Sequence, residues 1–191
     1  MGAILTQNTA WANVEKAIAN LRQANALSLK TVVHLSLPRL AQLVRPSGYF
    51  RQKAKRLKAL ARTLHTDQDF FRQLSGQSKA ELIPLRARLL EVHGVGPETA
   101  DSILLYAGRY PIFVVDAYTR RIGQRMGLFK TNAYRAVQAY FSQVLPPKTS
   151  MYNEFHALLV MLAKHFCTSH DPFCETCPVR ADCAYGRKKR A

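Results

Sequence analysis

The stretch LLEVHGVGPETAD, residues 89–101, decides the fold of this 191-residue chain. Its first half completes a run of apolar residues at helical spacing. Gly94-Val95-Gly96 then interrupts the run, and Pro97 can open a second helix, because proline is favoured at the first helical position. The glycines let a ligand approach the backbone, and the N–H groups that begin the second helix suit a phosphate oxygen. The stretch predicts a helix–hairpin–helix that holds a DNA backbone without selecting its sequence. A plain turn between two helices is the alternative interpretation.

The charge of the whole chain points to a polyanionic partner. The chain carries 28 Lys and Arg against 12 Asp and Glu, a net charge of +16, and its 48% hydrophobic content excludes a disordered chain. Nucleic acid is favoured over a membrane surface, because the basic residues are spread along the sequence. We find no signal peptide and no apolar run long enough to span a bilayer. We predict a monomeric, cytoplasmic, nucleoid-associated protein with no membrane partner.

The apolar periodicity is helical nearly throughout, which predicts an all-α fold. One short apolar run, Tyr110 to Val115, could be a strand. We interpret it as an extended buried connector, because no second strand is available to pair with it. Asp116 follows the run and is expected to cap a helix over Ala117 to Met126.

All four cysteines lie within a short segment near the C-terminus, spaced C-x6-C-x2-C-x5-C: Cys167, Cys174, Cys177 and Cys183. Disulfides are disfavoured in a cytosolic protein, so the spacing predicts reduced thiolates on a metal. Zinc and an iron–sulfur cluster both suit four clustered thiolates. Structural zinc sites more often use two C-x2–4-C pairs separated by a longer spacer, and this segment has one such pair.

Taken together, the hairpin, the Val114-Val115-Asp116 segment and the four-cysteine loop resemble the endonuclease III branch of the helix–hairpin–helix DNA glycosylases. The three features occur in that family's order and at matching intervals. Two further segments, Gly2 to Thr9 and Arg45 to Ala54, are also similar to segments of the family. The resemblance covers nearly the whole chain.

The resemblance implies an all-α fold of two helical subdomains with a DNA-binding cleft between them. The first would be a six-helix domain, residues 1–110, containing the hairpin at about 84–107. The second would be a helical domain, residues 111–191, containing the cluster loop at 167–183. The partner would be double-stranded DNA with a damaged or mispaired base. That base is flipped out of the stack, at a cost that is lower for damaged bases.

The resemblance makes Asp116 the essential carboxylate. Cleavage of an N-glycosidic bond builds positive charge on the sugar, and an anion held nearby stabilises that charge or orients the attacking water. A simple helix cap is the alternative role for Asp116. For the DNA contact, we assign Gly94, Val95 and Gly96 to the backbone, and Gln7 and Tyr49 to the gap left by the flipped base. Gln7 could equally be a satisfied interior group.

Glu98 departs from the pattern of the bifunctional members of this family. Those members carry a lysine just before the Thr-Ala of the hairpin helix, and its amine attacks the sugar to form a Schiff base. A carboxylate cannot form an imine, so we predict a monofunctional glycosylase without efficient lyase activity. We place Glu98 at the base pocket, with stabilisation of the helix N-terminus as its alternative role.

The hairpin variant most resembles the 3-methyladenine DNA glycosylases of this family. Those enzymes use an aromatic-lined pocket, which suits a cationic, electron-poor base. We assign Trp11 and Tyr118 to this pocket; Tyr49 and Phe50 are further candidate aromatics, and core packing is favoured for Phe50. Family members usually have a few dozen residues before the segment that begins here at Met1, so an N-terminal helix and some pocket residues are expected to be missing.

The resemblance makes the cysteine loop a [4Fe–4S] site rather than a zinc site. The cluster would fold the loop and hold basic residues such as Lys164 and Arg180 towards phosphates. The expected function is base-excision repair of an alkylated purine such as 3-methyladenine. A glycosylase for uracil or thymine mismatches, or for oxidised pyrimidines, is the alternative within the enzyme class. A non-catalytic DNA-binding module is the alternative outside it.

Overall fold

The computed structural model describes residues 1–76, 78 and 80–189, and all regular structure within these residues is helical. The prediction of an all-α fold is confirmed. The helices are α1 (Gly2–Leu5), α2 (Trp11–Gln23), α3 (Leu29–His34), α4 (Leu37–Leu43), α5 (Phe50–Thr66), α6 (Gln68–Leu74), α7 (Leu82–Glu91), α8 (Pro97–Tyr106), α9 (Ala117–Met126), α10 (Tyr134–Val144), α11 (Thr149–His165) and α12 (Ala184–Lys188), with a 3₁₀ turn at Arg45–Ser47.

The chain forms two compact units, Met1–Arg109 and Tyr110–Ala191. The first contains α1 to α8 and the second contains α9 to α12. Each has its own apolar interior. Within the described residues, no helix combines the length and the apolar character that crossing a membrane requires.

Helix α5 is the central element of the first unit and packs against α1, α3, α4 and α6. Its sequence is strongly amphipathic, because Leu57, Leu60 and Leu64 recur at helical spacing and are buried. Arg51, Lys55 and other basic residues on the opposite face are exposed. The helix therefore anchors the core of this unit while presenting positive charge to solvent.

A buried lysine holds the turn that precedes α5. Lys53 has an exposed fraction of 1%, and its Nζ donates to the carbonyl oxygens of Leu5 at 2.9 Å and Ser47 at 2.5 Å. Just after Ser47, Gly48 and Tyr49 both have positive φ angles, +67° and +44°. Because few non-glycine residues adopt this conformation, the turn must be fixed by its surroundings, and Lys53 supplies part of that support.

In the second unit, residues 110–116 form no regular secondary structure among the described residues, and Ile112 to Val115 are buried, as expected of a buried connector. Phe113 anchors this connector by stacking on Phe141 at a centroid distance of 4.5 Å and by meeting Tyr152 edge-on at 5.5 Å. Gln138 Nε2 donates to the Phe113 carbonyl at 2.6 Å. The aromatic packing thus fixes the chain three residues before Asp116.

Candidate active site

The hairpin between α7 and α8 has the geometry that the sequence predicts. Gly94 has φ +81°, and Gly96 is the N-cap of α8, with Pro97 at its first position. The two helices are joined by a bidentate ion pair in which Arg86 Nε and Nη2 lie 2.6 and 3.1 Å from the carboxylate oxygens of Asp101. Asp101 is fully buried, so this pair holds the two helices at a fixed spacing.

A second set of contacts holds the hairpin from the N-terminal segment. Gln7 Nε2 donates to the carbonyl of Gly94 at 3.1 Å and to Thr99 Oγ1 at 2.9 Å. Gln7 Oε1 in turn accepts a hydrogen bond from Arg56. A Cβ atom at Gly94 would overlap the Arg56 side chain. Of the residues assigned to DNA contact, the structure therefore brings Gln7 together with the hairpin glycines.

Tyr49, the other residue assigned to the gap, lies at the tip of the turn before α5. Its side chain is 66% exposed, and its backbone is in the left-handed region. An exposed aromatic ring on a constrained backbone is suited to insertion into a stack of bases. Its neighbour Phe50 is partly buried, in contrast to Tyr49.

Asp116 is the N-cap of α9. Its Oδ1 accepts hydrogen bonds from the backbone N–H of Thr119 at 2.7 Å and from Thr119 Oγ1 at 2.9 Å. Thr119 is itself fully buried. These two bonds fix the orientation of the carboxylate and direct Oδ2 away from the helix terminus.

His156 on α11 faces that second oxygen. Its Nε2 lies 3.5 Å from Asp116 Oδ2, and the two side chains are only 10% and 16% exposed. Burial alone would raise the pKa of the Asp116 carboxyl. The contact with His156 and the two hydrogen bonds from Thr119 outweigh burial, and the pKa lies below its ordinary value. Asp116 is therefore an anion throughout the neutral pH range.

The remaining residues assigned to the base pocket differ in how far their side chains are exposed. Trp11, at the first position of α2, is 47% exposed, with its ring beside Gly2. Tyr118 is partly buried on α9 and carries the Arg121 guanidinium over its ring at 5.2 Å. Glu98 is exposed in the first turn of α8, where a carboxylate favours the helix dipole.

The four cysteines are partly exposed and not joined by disulfides. Burial raises the pKa of the Cys177 thiol, and the charges of the other three cysteines raise it further. A positively charged metal group bound in this loop would favour the deprotonated thiolate form of its cysteine ligands. Among the described residues, no three Cys, His, Asp or Glu side chains converge closely enough to hold a single metal ion. The other three cysteines lie close enough to Cys177 for their charges to act on its thiol, so the loop offers four sulfur ligands to one metal group.

Comparison with known proteins places this geometry in a family. Residues 1–147 match the family described as HhH-GPD superfamily base excision DNA repair protein. The chain belongs to this superfamily. The glycosylase is also 42% identical, over 96% of its own length and 83% of the relative's, to a candidate DNA repair glycosylase of Methanocaldococcus jannaschii.

Two solved structures are similar to the glycosylase. Helicobacter pylori 3-methyladenine DNA glycosylase bound to 1,N6-ethenoadenine matches with a TM-score of 0.73 and 30% identity, over 85% of this chain and 82% of that one. A trapped endonuclease III–DNA covalent intermediate matches with a TM-score of 0.81 over 98% of this chain and 82% of that one. At 22% identity, this second likeness supports the shared fold alone. The resemblance to endonuclease III-like glycosylases that the sequence motifs suggest is confirmed.

Sequence reasoning missed three residues that organise the sites of this glycosylase. His156 faces Asp116, Arg86 pairs with Asp101, and Arg125 on α9 donates to the sulfur of Cys167. The intervals in the chain between these partners range from 15 to 42 residues. No local pattern connects such distant positions, so only the packing of the helices could reveal them.

Proposed function

We propose that this base-excision glycosylase is monofunctional. It hydrolyses the N-glycosidic bond of an alkylated purine that is flipped out of double-stranded DNA, and 3-methyladenine is the best candidate. The observation that carries the proposal is the partly buried Asp116 carboxylate, held as an anion by Thr119 and His156. The Helicobacter pylori 3-methyladenine DNA glycosylase, which was solved with 1,N6-ethenoadenine bound and is 30% identical to this chain, supports the substrate class.

The lowered pKa of Asp116 favours one role over another. A carboxylate with a depressed pKa is a weak general base, because it binds a proton poorly near neutral pH. It is well suited to stabilise the positive charge that develops on the sugar as the N-glycosidic bond breaks. A purine that already carries a positive charge is a good leaving group. We therefore assign electrostatic stabilisation to Asp116, together with orientation of the attacking water.

Glu98 is the reason for proposing hydrolysis without strand cleavage. The bifunctional pattern requires an amine at this position, and a carboxylate cannot attack the sugar to form an imine. In the first turn of α8, Glu98 also reduces the positive potential beside the hairpin. We assign it to the edge of the base pocket.

The DNA contact is assigned to two elements of the first unit. The hairpin, Gly94 to Gly96, offers backbone N–H groups at the start of α8 to a phosphate. Tyr49 is assigned to the gap left by the flipped base, and Gln7 holds the hairpin carbonyl beside that gap. Trp11 and Tyr118 are assigned to stacking on the flipped base.

The four cysteines, Cys167, Cys174, Cys177 and Cys183, would hold a [4Fe–4S] cluster. When bound, the cluster supplies a rigid, multiply anchored support for the loop and a redox-active centre. The cluster would hold two basic residues towards phosphates: Lys164, which is exposed on α11, and Arg180, which is partly buried in the loop.

A panel of duplexes, each with one lesion, tests the proposal. Released base is measured directly by chromatography, and abasic sites are revealed by alkaline cleavage. Wild-type protein is expected to release 3-methyladenine, while Asp116→Asn binds the same duplex without releasing it. If the protein releases only uracil, mismatched thymine or an oxidised pyrimidine, the proposed substrate is wrong. If it releases no base from any duplex, the result favours a DNA-binding module.

Borohydride trapping tests the absence of lyase activity separately. Wild-type protein is incubated with abasic-site DNA and borohydride, beside a bifunctional endonuclease III as positive control. We expect no covalent adduct with this chain. An adduct as abundant as that of the control would show that another amine takes the place of the missing lysine.

A further inference from the structure

One arginine on α9 contacts the proposed cluster ligands directly. Arg125 Nη1 lies 3.2 Å from Sγ of Cys167 and 2.6 Å from the carbonyl oxygen of Thr168. Its Nη2 donates to the carbonyl of Ser169 at 3.0 Å. One guanidinium therefore binds the sulfur of the first cysteine and the two residues that follow it.

The same arginine is close to a second cysteine. Sγ of Cys183 lies 3.4 Å from the backbone carbonyl oxygen of Arg125, and the Arg125 guanidinium lies 5.1 Å above the ring of Tyr185, in the helix that Cys183 begins. The last turn of α9 is thus in contact with both the first and the last cysteine of the loop. One turn earlier, Arg121 Nε donates to the carbonyl oxygen of Cys167 at 2.9 Å.

The contact between Arg125 and the sulfur of Cys167 affects the charge on a cluster ligand, whereas the contacts with carbonyl groups do not. A thiolate bound to iron carries negative charge, and that charge grows when the cluster gains an electron. An N–H···S bond from a permanently charged guanidinium stabilises the more reduced state and so raises the reduction potential. Residues that bind metal ligands in this way also slow the loss of the metal.

We propose that Arg125 is a positioning residue of the cluster, which raises its reduction potential and slows its loss through the bond to Cys167. The inference rests on the proposed [4Fe–4S] cluster. It assigns to the end of α9 a function in addition to that of its first turn, where Asp116 lies. Arg121 then shapes the chain around Cys167, while Arg125 acts on the electronic properties of the sulfur.

The test compares Arg125→Gln with three other variants, all purified without oxygen. Arg125→Lys keeps the charge but replaces the planar fork of guanidinium donors with a single ammonium group. Arg121→Gln removes one positive charge, the bond to the Cys167 carbonyl and the contact with the Tyr118 ring. Arg135→Gln removes one positive charge from an exposed position on α10. Iron and sulfide content are measured first, and voltammetry of the DNA-free protein gives the reduction potential. The rate of cluster loss is measured as the decay of absorbance at about 400 nm in the presence of a chelator.

We expect Arg125→Gln to lower the reduction potential and to accelerate cluster loss by about tenfold or more. Arg125→Lys should shift the potential less in the same direction. Arg121→Gln should accelerate loss with little change in potential, and Arg135→Gln should change neither.

A potential for Arg125→Gln equal to those of the wild type and of Arg135→Gln would overturn the inference. If Arg125→Gln retains no cluster, Arg125→Lys decides, and a wild-type potential and rate of loss in that variant would overturn the proposal. A wild-type protein that holds zinc would overturn the cluster and the role of Arg125 together. Base release that depends on Asp116 would still be measurable in that case, so the proposed glycosylase reaction stands or falls separately.

Discussion

His156 Nε2 lies 3.5 Å from Oδ2 of Asp116, and this contact joins two helices that are distant in sequence. The other carboxylate oxygen is occupied by the N–H and hydroxyl groups of Thr119. Each oxygen of Asp116 thus has a partner of its own. One partner comes from the helix that Asp116 caps and the other from α11. The capping role and the proposed catalytic role of Asp116 are therefore carried by different atoms of one side chain.

Asp116→Asn should separate these two roles. Asparagine is as good an N-cap as aspartate, so the bond to Thr119 N–H and the stability of α9 are retained. The negative charge is lost, and base release should fall by at least about a hundredfold, as when one group that stabilises transition-state charge is removed. Single-turnover base release, duplex affinity and thermal unfolding are the measurements. If Asp116→Asn retains both base release and stability, the role of Asp116 is that of a helix cap alone.

His156→Gln should weaken base release without changing DNA affinity. The contact helps to keep Asp116 anionic, and its loss should lower base release by roughly tenfold. The pKa of Asp116 should also rise towards its ordinary value, because the contact with His156 lowers it. The acid limb of the pH–rate profile should therefore move to higher pH.

The matched control for this variant is His165→Gln, an exposed histidine at the end of the same helix. It should leave both the rate and the pH profile unchanged. If His156→Gln lowers the rate but leaves the acid limb in place, the histidine acts through packing and not through the charge of Asp116.

The two glycines of the hairpin should respond differently to alanine. Gly94 has φ +81°, and an added Cβ would overlap Arg56, so Gly94→Ala should lower the free energy of unfolding by about 1–2 kcal/mol or more. A Cβ at Gly96 meets no atom within 4 Å. Gly96→Ala should fold nearly as well as the wild type but bind undamaged duplex more weakly, because the methyl group separates the backbone from a phosphate.

Chemical denaturation and fluorescence anisotropy with undamaged duplex measure these two effects. Equal stability of Gly94→Ala and the wild type would contradict the role of the positive φ angle. Unchanged duplex affinity of Gly96→Ala would place the phosphate elsewhere.

Lys53 should give the protein an unusual dependence of stability on pH. Burial, with a smaller contribution from Arg56, lowers the pKa of Lys53 to about 8. In the unfolded chain, the lysine keeps a pKa of about 10.4. Between these two values the unfolded state binds more protons, so the contribution of Lys53 to the free energy of unfolding rises with pH across that window.

Urea denaturation at several pH values from about 7 to about 10 measures this contribution as the difference between the wild type and Lys53→Met. The free energy of unfolding of the wild type, minus that of Lys53→Met, should increase as pH rises. Lys55→Met, which alters an exposed lysine on the same helix, should give no such trend. A pH-independent difference for Lys53→Met would mean that the buried amine keeps its ordinary pKa.

Much of the local structure could be predicted from neighbouring residues. Apolar spacing predicts the helices, Gly94-Val95-Gly96 predicts the hairpin, and the extended connector before Asp116 follows from the lack of a partner strand. Asp116 as the cap of α9 could also be predicted, because a cap is a relation between neighbouring residues. These features depend on backbone conformation within a few residues.

Only the tertiary structure decided what surrounds those residues. It brings His156 to Asp116, Gln7 to the hairpin carbonyl, and Arg125 to the sulfur of Cys167. Each contact joins helices whose relative positions follow from side-chain packing in the core, such as that of Phe113 on Phe141 in the second unit. The residue types at a site can be read from the sequence, but their orientation and charge state depend on neighbours that only the packed chain supplies.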